Sequence, residues 1–356
     1  MFARRLEALR KKISESRLQG LLVTSLPNVR YLTGFTGSNA LLLLSPDRDL
    51  FITDSRYRNQ ASGEVENARI VIAPGSLLKA LSQKLALRTV GRIGFEAGSL
   101  TVSGFSNLKR LAKEEKFVPT VGLVEQIRAY KDEDEISRIR RAAEITDRVF
   151  NKILAILKPG LMELEVAAEI TYWHKRFGAE SEAFDAIVAS GIRGAFPHAR
   201  ASANRIEKGN MVTIDMGCRV DGYHCDLTRT VSVGRPPPEM RKIYAVVLEA
   251  EQRSLNEAQA GVRVSSLDGI ARKSIRAKGY GKYFCHSLGH GLGLELHEMP
   301  RVSSKSKDIL KNGSVITIEP GIYIPRLGGV RIEDDVVVHD DSNEVLSKVP
   351  KELVIV

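Results

Sequence analysis

Cysteine is scarce in this chain: Cys218, Cys225 and Cys285 are the only three in 356 residues, and none sits in a CxxC pair. That excludes a disulfide-stapled fold and a thiolate zinc site, and leaves reduced thiols as the reading. Long hydrophobic runs are missing as well. No stretch approaches the roughly 18 apolar residues that a membrane-spanning helix needs. The opening MFARRLEALRKKISESRLQG has no apolar core of a secretion signal. A cytoplasmic protein without a membrane partner is therefore expected. There is no short-period repeat and no low-complexity tract, and aromatic residues make up only 6% of the chain.

Charge is not scarce. The formal net charge is +10 and the isoelectric point is about 9.5, which raises the question of an anionic partner. The densest basic stretch, Arg4, Arg5, Arg10, Lys11, Lys12 and Arg17, is interleaved with Leu6, Leu9 and Ile13 at helical spacing. No aromatic stacking residues accompany it, so it reads as a solvated helix face, and no nucleic-acid partner is expected.

At 39.3 kDa and 43% hydrophobic residues the chain can bury a large core divided between two domains. In the first part, GLLVTS, NALLLLS, LFITDS, ARIVIA and RIGFEA alternate with SLLKALSQKLAL and SGFSNLKRLAKEE, the strand and helix pattern of a layered α/β domain. Near residue 125 the character changes. The run KDEDEISRIRRAAEITDRVFNKILAILKPG opens with acidic residues suited to a helix N-terminus and stops at Pro159-Gly160. A domain of residues 1–124 and another of residues 125–356 are expected, the second mixing helices with strands.

The unusual chemistry lies in the second part. In NMVTIDMGCRVDGYHCDLTRTVSVG two apolar runs flank Asp221-Gly222, the signature of a two-residue hairpin turn. That register sets Val220 against Tyr223 and Met216 against Leu227, which brings Asp215 diagonally across from Asp226 on one face. Two like charges there require a cation between them or a proton on one of them. The segment GSVITIEPGIYIPRLGGVRIEDDVVV repeats the pattern. Glu319 closes one apolar run, Gly328-Gly329 is expected to turn the chain, and Val330 to Val338 is expected as one strand with Arg331 and Glu333 on a single face.

GHGLGLELHEMP, residues 289–300, holds two of the seven histidines. Its glycines oppose a helix, and the alternating Leu292, Leu294 and Leu296 read as a half-buried strand. If it is extended, His290 and His297 lie roughly 20 Å apart on opposite faces and cannot share one ion unless the glycines bend the chain. Four carboxylates and one imidazole would together suit two divalent cations of a hydrolase, with Mn²⁺, Co²⁺, Fe²⁺ and Zn²⁺ all open.

TIDMG, DLTRT, GHGLGLELHE, TIEPGIY and VRIEDDVVV, in this order, resemble the metal-binding segments of the pita-bread metallopeptidases, the family of methionine aminopeptidase, aminopeptidase P and prolidase. NVRYLTGFTGSNALLLLS and FITDSRY resemble the amino-terminal domain that prolidase and aminopeptidase P carry and short methionine aminopeptidases lack. The resemblance implies an α+β fold, with a creatinase-like α/β amino-terminal domain ahead of a pita-bread α+β catalytic domain. It implies metal ligands Asp215, Asp226, His290, Glu319 and Glu333, with Asp226 and Glu333 bridging two ions. A hydroxide between those ions would attack the scissile carbonyl, with Glu319 as proton shuttle.

The same resemblance implies that His198, His286, His297, Arg301 and Tyr323 face substrate, that His198 and His297 act in the reaction, and that Arg331 braces the metal carboxylates. His224 is read as structural or exposed, and Glu298 is undecided. The implied activity is hydrolysis of the Xaa-Pro bond in a proline-containing peptide by a homodimer, with Mn²⁺ the leading ion and Co²⁺, Zn²⁺ or Fe²⁺ as alternatives. A methionine aminopeptidase-like enzyme and a non-catalytic binding protein of the same fold are the rival readings.

Overall fold

Two contiguous units, Met1–Arg128 and Ala129–Val356, make up the chain in a computed structural model that describes residues 1–46, 48–85, 91–113 and 116–356. In the first, β1 (Gly20–Val23), β2 (Ala40–Leu44), β3 (Leu50–Asp54), β4 (Arg69–Ala73), β5 (Arg92–Glu96) and β6 (Lys116–Thr120) form one sheet in the order β4-β3-β2-β1-β5-β6. β2 runs antiparallel to β1 and β3, and the remaining pairs are parallel. All five residues of the ALLLL run in β2 are buried, as a strand covered on both faces requires.

The helices of this unit are α1 (Phe2–Glu15), α2 (Leu26–Thr33), α3 (Arg58–Glu64), α4 (Leu77–Leu85), α5 (Val102–Leu111) and α6 (Glu125–Arg128). α1 buries Leu6, Leu9 and Ile13 and leaves Arg4, Arg10 and Lys11 exposed, whereas Arg5 turns inward and donates to the Tyr31 carbonyl at 3.0 Å. The expected helix ends at residues 86–87 and 114–115 lie outside the described residues. β6 escapes sequence reading because Pro119 interrupts its pattern, which an edge strand tolerates.

The second unit begins with α7 (Glu133–Ile156), started by a reciprocal capping box between Asp132 and Glu135, and α8 (Glu163–Arg176). Then follow β7 (Ser181–Glu182), β8 (Ile187–Ser190), β9 (Met211–Met216), β10 (Cys218–Val220), β11 (Tyr223–His224) and β12 (Leu227–Ser232). After α9 (Pro238–Asn256) and α10 (Val264–Ala277) come β13 (Gly289–Gly291), β14 (Glu298–Val302), β15 (Val315–Ile318), β16 (Gly321–Ile324), β17 (Gly328–Arg331), β18 (Asp334–Val338) and β19 (Asn343–Val345). The sheets run β11-β10-β7, β12-β9-β8, β14-β13-β15-β18-β19 and β16-β17. Ile243 and Val247 of α9 and Leu267 and Ala271 of α10 share a core with Ile316, Ile318, Val336 and Val338 of the five-stranded sheet. Among the described residues no helix is long and apolar enough to cross a membrane.

The Asp221-Gly222 hairpin has the expected register, with Val220 opposite Tyr223 and Met216 opposite Leu227. Both turn residues adopt left-handed backbone, φ 47° and 81°, the geometry that matches strand twist in a two-residue turn. Three expectations are corrected. Gly328-Gly329 does not turn the chain but lies in β17 opposite Tyr323 and Ile324. A Cβ at Gly329 would fall 2.0 Å from the Gly194 carbonyl oxygen, so close backbone packing is what demands glycine there. Val330 to Val338 is two strands in different sheets, β17 and β18, with Glu333 in the break between them. GHGLGLELHEMP is not one strand either. β13 and β14 pair antiparallel across a bend at 292–297, with a bulge between His290 and Gly291, so the two histidine rings meet at 4.2 Å between centroids instead of lying far apart.

Candidate metal centre

Each acidic side chain is delivered by a strand end. Asp215 sits in β9 opposite Thr228, and Asp226 immediately precedes β12, its backbone N–H donating to Asp335 Oδ2 at 2.8 Å. Glu319 follows β15, its Oε1 accepting from Thr317 Oγ1 at 3.3 Å. Glu333 is held where its N–H meets the Thr228 carbonyl at 3.1 Å. β13 can approach β15 this closely because it begins with glycine: a Cβ on Gly289 would lie 2.0 Å from the Thr317 carbonyl oxygen.

His290 is oriented on that strand by its neighbours. Its N–H donates to Thr317 Oγ1 at 3.1 Å, and its Nδ1 lies 3.1 Å from the Gly291 carbonyl oxygen. A carbonyl can only accept, so Nδ1 carries the proton and Nε2 presents a lone pair. Nε2 stands 3.7 Å from both Asp226 Oδ2 and Glu319 Oε1. Among the described residues Asp226, His290 and Glu333 form a group whose donor atoms all lie within 4.8 Å of one another.

The electrostatics are those of a site short of positive charge. Burial, then Glu333 and Asp215, holds the Asp226 carboxyl well above the usual range. Burial and Glu319 do the same to Glu333. Glu319 is pushed up to about 8 by burial, with Arg331 opposing and Asp215 adding to the shift. Burial and then His297 depress His290 to about 4, so its imidazole is neutral near pH 7.

Among the described residues one guanidinium bonds the group directly. Arg331, 4% exposed, bonds Asp215 Oδ2 at 2.6 Å, Thr228 Oγ1 at 3.0 Å and Tyr323 Oη at 2.9 Å. One guanidinium cannot offset Asp215, Asp226, Glu319 and Glu333 together, and Asp215 Oδ1 and Asp226 Oδ1 are buried without a hydrogen-bond partner. Carboxylate oxygens left unpaired beside a neutral imidazole lone pair fit a divalent cation of oxygen and nitrogen preference.

These groups line a cavity of about 570 Å³. Asp215, Asp226, His290, Glu319 and Glu333 all reach it, as do His198, His286, His297, Arg301 and Arg331, while Phe184, Ile187 and Leu296 supply apolar wall. Tyr323 is not in the lining. It is buried between His286 Nε2 and Arg331 Nη1, each 2.9 Å from its hydroxyl, and burial raises that hydroxyl to about 12. Arg301 Nε donates to Ser287 Oγ at 3.1 Å.

His224 is buried rather than exposed, and its N–H and ring Nδ1 both meet the Gly293 carbonyl, tying the first hairpin to the 292–297 bend. Glu298 pairs with Lys131 at 3.3 Å and accepts the Glu295 N–H at 2.9 Å, so it shapes the same bend. Cys218 and Cys225 are free thiols against Thr146 Oγ1.

Four contributors escape sequence reading. Thr228 Oγ1 donates to Glu333 Oε2 at 2.6 Å, Thr317 serves His290 and Glu319, Asp335 holds Asp226, and Glu163 gathers the loop that carries His198. Their residue types are common. The one available signal was the polar Thr317 inside the otherwise apolar strand VITI.

Buried carboxylates with an imidazole donor in an open cavity define the site of a metal-dependent enzyme. The description "Metallopeptidase family M24" matches residues 137–340, and "Creatinase/Prolidase N-terminal domain" matches residues 5–130. An Xaa-Pro dipeptidase of Pyrococcus furiosus is 38% identical over 351 residues, covering 98% of this chain and 99% of the relative. Among solved structures, an Xaa-Pro dipeptidase from Bacillus anthracis aligns with TM-score 0.97 at 42% identity, covering 100% of both chains. An X-Pro aminopeptidase from Thermotoga maritima aligns with TM-score 0.89 at 38% identity, covering 96% of this chain and 98% of that one. The chain belongs to metallopeptidase family M24, an α+β enzyme with a creatinase/prolidase-type domain ahead of its peptidase domain, and divalent-metal use comes with that family.

Proposed function

We propose that this metallopeptidase is an exopeptidase that hydrolyses the Xaa-Pro bond, as a dipeptidase or as an aminopeptidase on longer peptides. The observation that carries the reading is the group of Asp226, His290 and Glu333, in a cavity whose carboxylate oxygens are left unpaired. The names of the relatives point to the bond before proline. In this reading the catalytic domain spans residues 125–356. Asp215, Asp226, His290, Glu319 and Glu333 would hold two divalent ions, Mn²⁺ first and Co²⁺, Zn²⁺ or Fe²⁺ as alternatives, in a cytoplasmic homodimer.

When bound, the cations supply Lewis-acid polarisation of the scissile carbonyl and acidify water. The protein does the rest. Arg331 aims Asp215 by donating from Nη2 to its Oδ2 at 2.6 Å. Glu319, a carboxylate on the cavity wall beside the other acidic groups, is the group to carry a proton toward the leaving proline nitrogen. His198 and His297, both exposed on the cavity wall, offer imidazole donors to substrate oxygen, and Arg301 offers a cation to a terminal carboxylate. His286, held neutral by burial with its value down at about 4, orients Tyr323 and through it Arg331.

A metal-supplemented assay comparing an Xaa-Pro dipeptide, a tripeptide led by Xaa-Pro and a Met-led peptide tests the reading. Cleavage of the Xaa-Pro peptides is expected, and their relative rates settle substrate length. Cleavage of the Met-led peptide alone would overturn it.

A further inference from the structure

Glu163, the first residue of α8, is a carboxylate with 0% exposure that is not part of the cavity. A buried charge of this kind is costly unless every lone pair is used, and here each is. Oε1 accepts from the Ser190 N–H at 2.9 Å, Ser190 Oγ at 3.0 Å, Arg193 Nε at 3.2 Å and Asn204 Nδ2 at 3.3 Å. Oε2 accepts from Arg193 Nε at 2.9 Å, the Ser202 N–H at 3.2 Å and Ser202 Oγ at 2.8 Å. All these donors belong to the two ends of one segment, residues 190–204.

Between those ends the chain carries Pro197 and His198, which line the metal cavity. Backbone bonds from the Glu163 and Leu164 N–H groups to the Asn204 and Ser202 carbonyls, each 3.0 Å, also hold its far end. The segment buries Ser190, Gly194 and Ala199, exposes Ile192 and Phe196 to 64% and 63%, and closes on itself where Arg193 Nη2 donates to the Arg200 carbonyl at 2.6 Å. Its tip touches the site through Arg331 Nη1, which donates to the Pro197 carbonyl at 3.2 Å. The Glu163 carboxylate is thus the group that bonds both ends of the loop at once, and the loop rests on β17 through the close Gly194 and Gly329 backbones.

We propose that Glu163 is a positioning residue for His198: by gathering both ends of the 190–204 loop it fixes where that imidazole stands over the metal cavity. The claim rests on the reading of His198 as a substrate-facing group. Loop segments are released at low free-energy cost when few apolar contacts hold them, so the loss of this carboxylate frees the loop while the metal-binding strands stay paired.

The test is made on the Mn²⁺-loaded full chain. Glu163→Gln keeps the side-chain shape and removes the charge. Its kcat/KM for an Xaa-Pro dipeptide is expected to fall by about tenfold, yet by less than about twofold when His198→Ala is already present, because residues acting through one another do not add. Bound metal should be unchanged, and tryptic cleavage after Arg193 and Arg200 should accelerate. Equal losses in both backgrounds, or unaltered cleavage, would overturn the proposal. If Glu163→Gln does not fold, Ser202→Ala and Arg193→Gln release the two loop ends separately and are read the same way, with cleavage after Arg200 alone followed in Arg193→Gln. If no Xaa-Pro peptide is hydrolysed, the functional reading fails, and tryptic cleavage alone decides whether Glu163 fastens the loop.

Discussion

Thr228→Val isolates one hydroxyl at the centre of the site. Thr228 is fully buried, donates to Glu333 Oε2 at 2.6 Å and accepts from Arg331 Nε at 3.0 Å. Valine fills the same volume, so no cavity term enters. Hydrogen bonds to charged partners contribute about 1.5–3 kcal/mol each, which puts the two together at about 3–6 kcal/mol. That energy restrains a carboxylate meant to face a cation and the guanidinium that braces Asp215. Groups that orient metal ligands typically govern about 10–100-fold in affinity, and that is the weakening expected for Mn²⁺. The assay is titration of the metal-free variant against a chelating indicator, with circular dichroism as a check of folding. Thr213→Val, whose hydroxyl meets the neutral Thr230 Oγ1 at 3.1 Å, is the control and should bind metal normally. A folded Thr228→Val that binds Mn²⁺ within about twofold of the unaltered protein would refute the reasoning.

Other perturbations address other links. Asp226→Ala and Glu333→Ala should each abolish hydrolysis together with binding of both ions, and a variant that still holds two metals by elemental analysis would contradict their bridging role. Gly289→Ala, whose new Cβ meets the Thr317 carbonyl oxygen at 2.0 Å, should destabilise the protein by about 1–3 kcal/mol or more; an unmoved urea midpoint would argue against the close β13 to β15 approach. His174, 1% exposed and not part of the cavity lining, is depressed from 6.5 to about 4 by burial. The unfolded chain therefore binds its proton first, so stability is present above pH 6.5 and is lost as pH falls from about 6.5 toward 4, on the order of 3 kcal/mol in full. His174→Phe should show a correspondingly shallower loss in urea unfolding between pH 7 and 4.5, and parallel losses in the two proteins would contradict this.

Legibility followed the range of the determining contacts. The hairpin from Met216 to Leu227 was readable because Asp221 and Gly222 specify its turn locally, and its register then carries Asp215 and Asp226 to one face. The ordered carboxylates and His290 were readable as a pattern of residue types. The His290 to His297 relation was not, since the alternating Leu292, Leu294 and Leu296 match a strand while the bend between them is stabilised by distant partners, the His224 N–H on the Gly293 carbonyl and Lys131 on Glu298. Gly328-Gly329 misled for a similar reason: its glycines answer the 191–195 turn packed against them, not a turn of their own. Thr228 and Glu163 carried no local signal, because an ordinary residue acquires its role only from the strand or loop brought against it.

The most direct test of the central claim is hydrolysis of an Xaa-Pro dipeptide by the full chain, followed before exhaustive chelation, after it, and after readdition of Mn²⁺, with bound metal counted at each stage. The account predicts that turnover disappears with the metal and returns with it. Undiminished turnover in protein shown to be metal-free would contradict it.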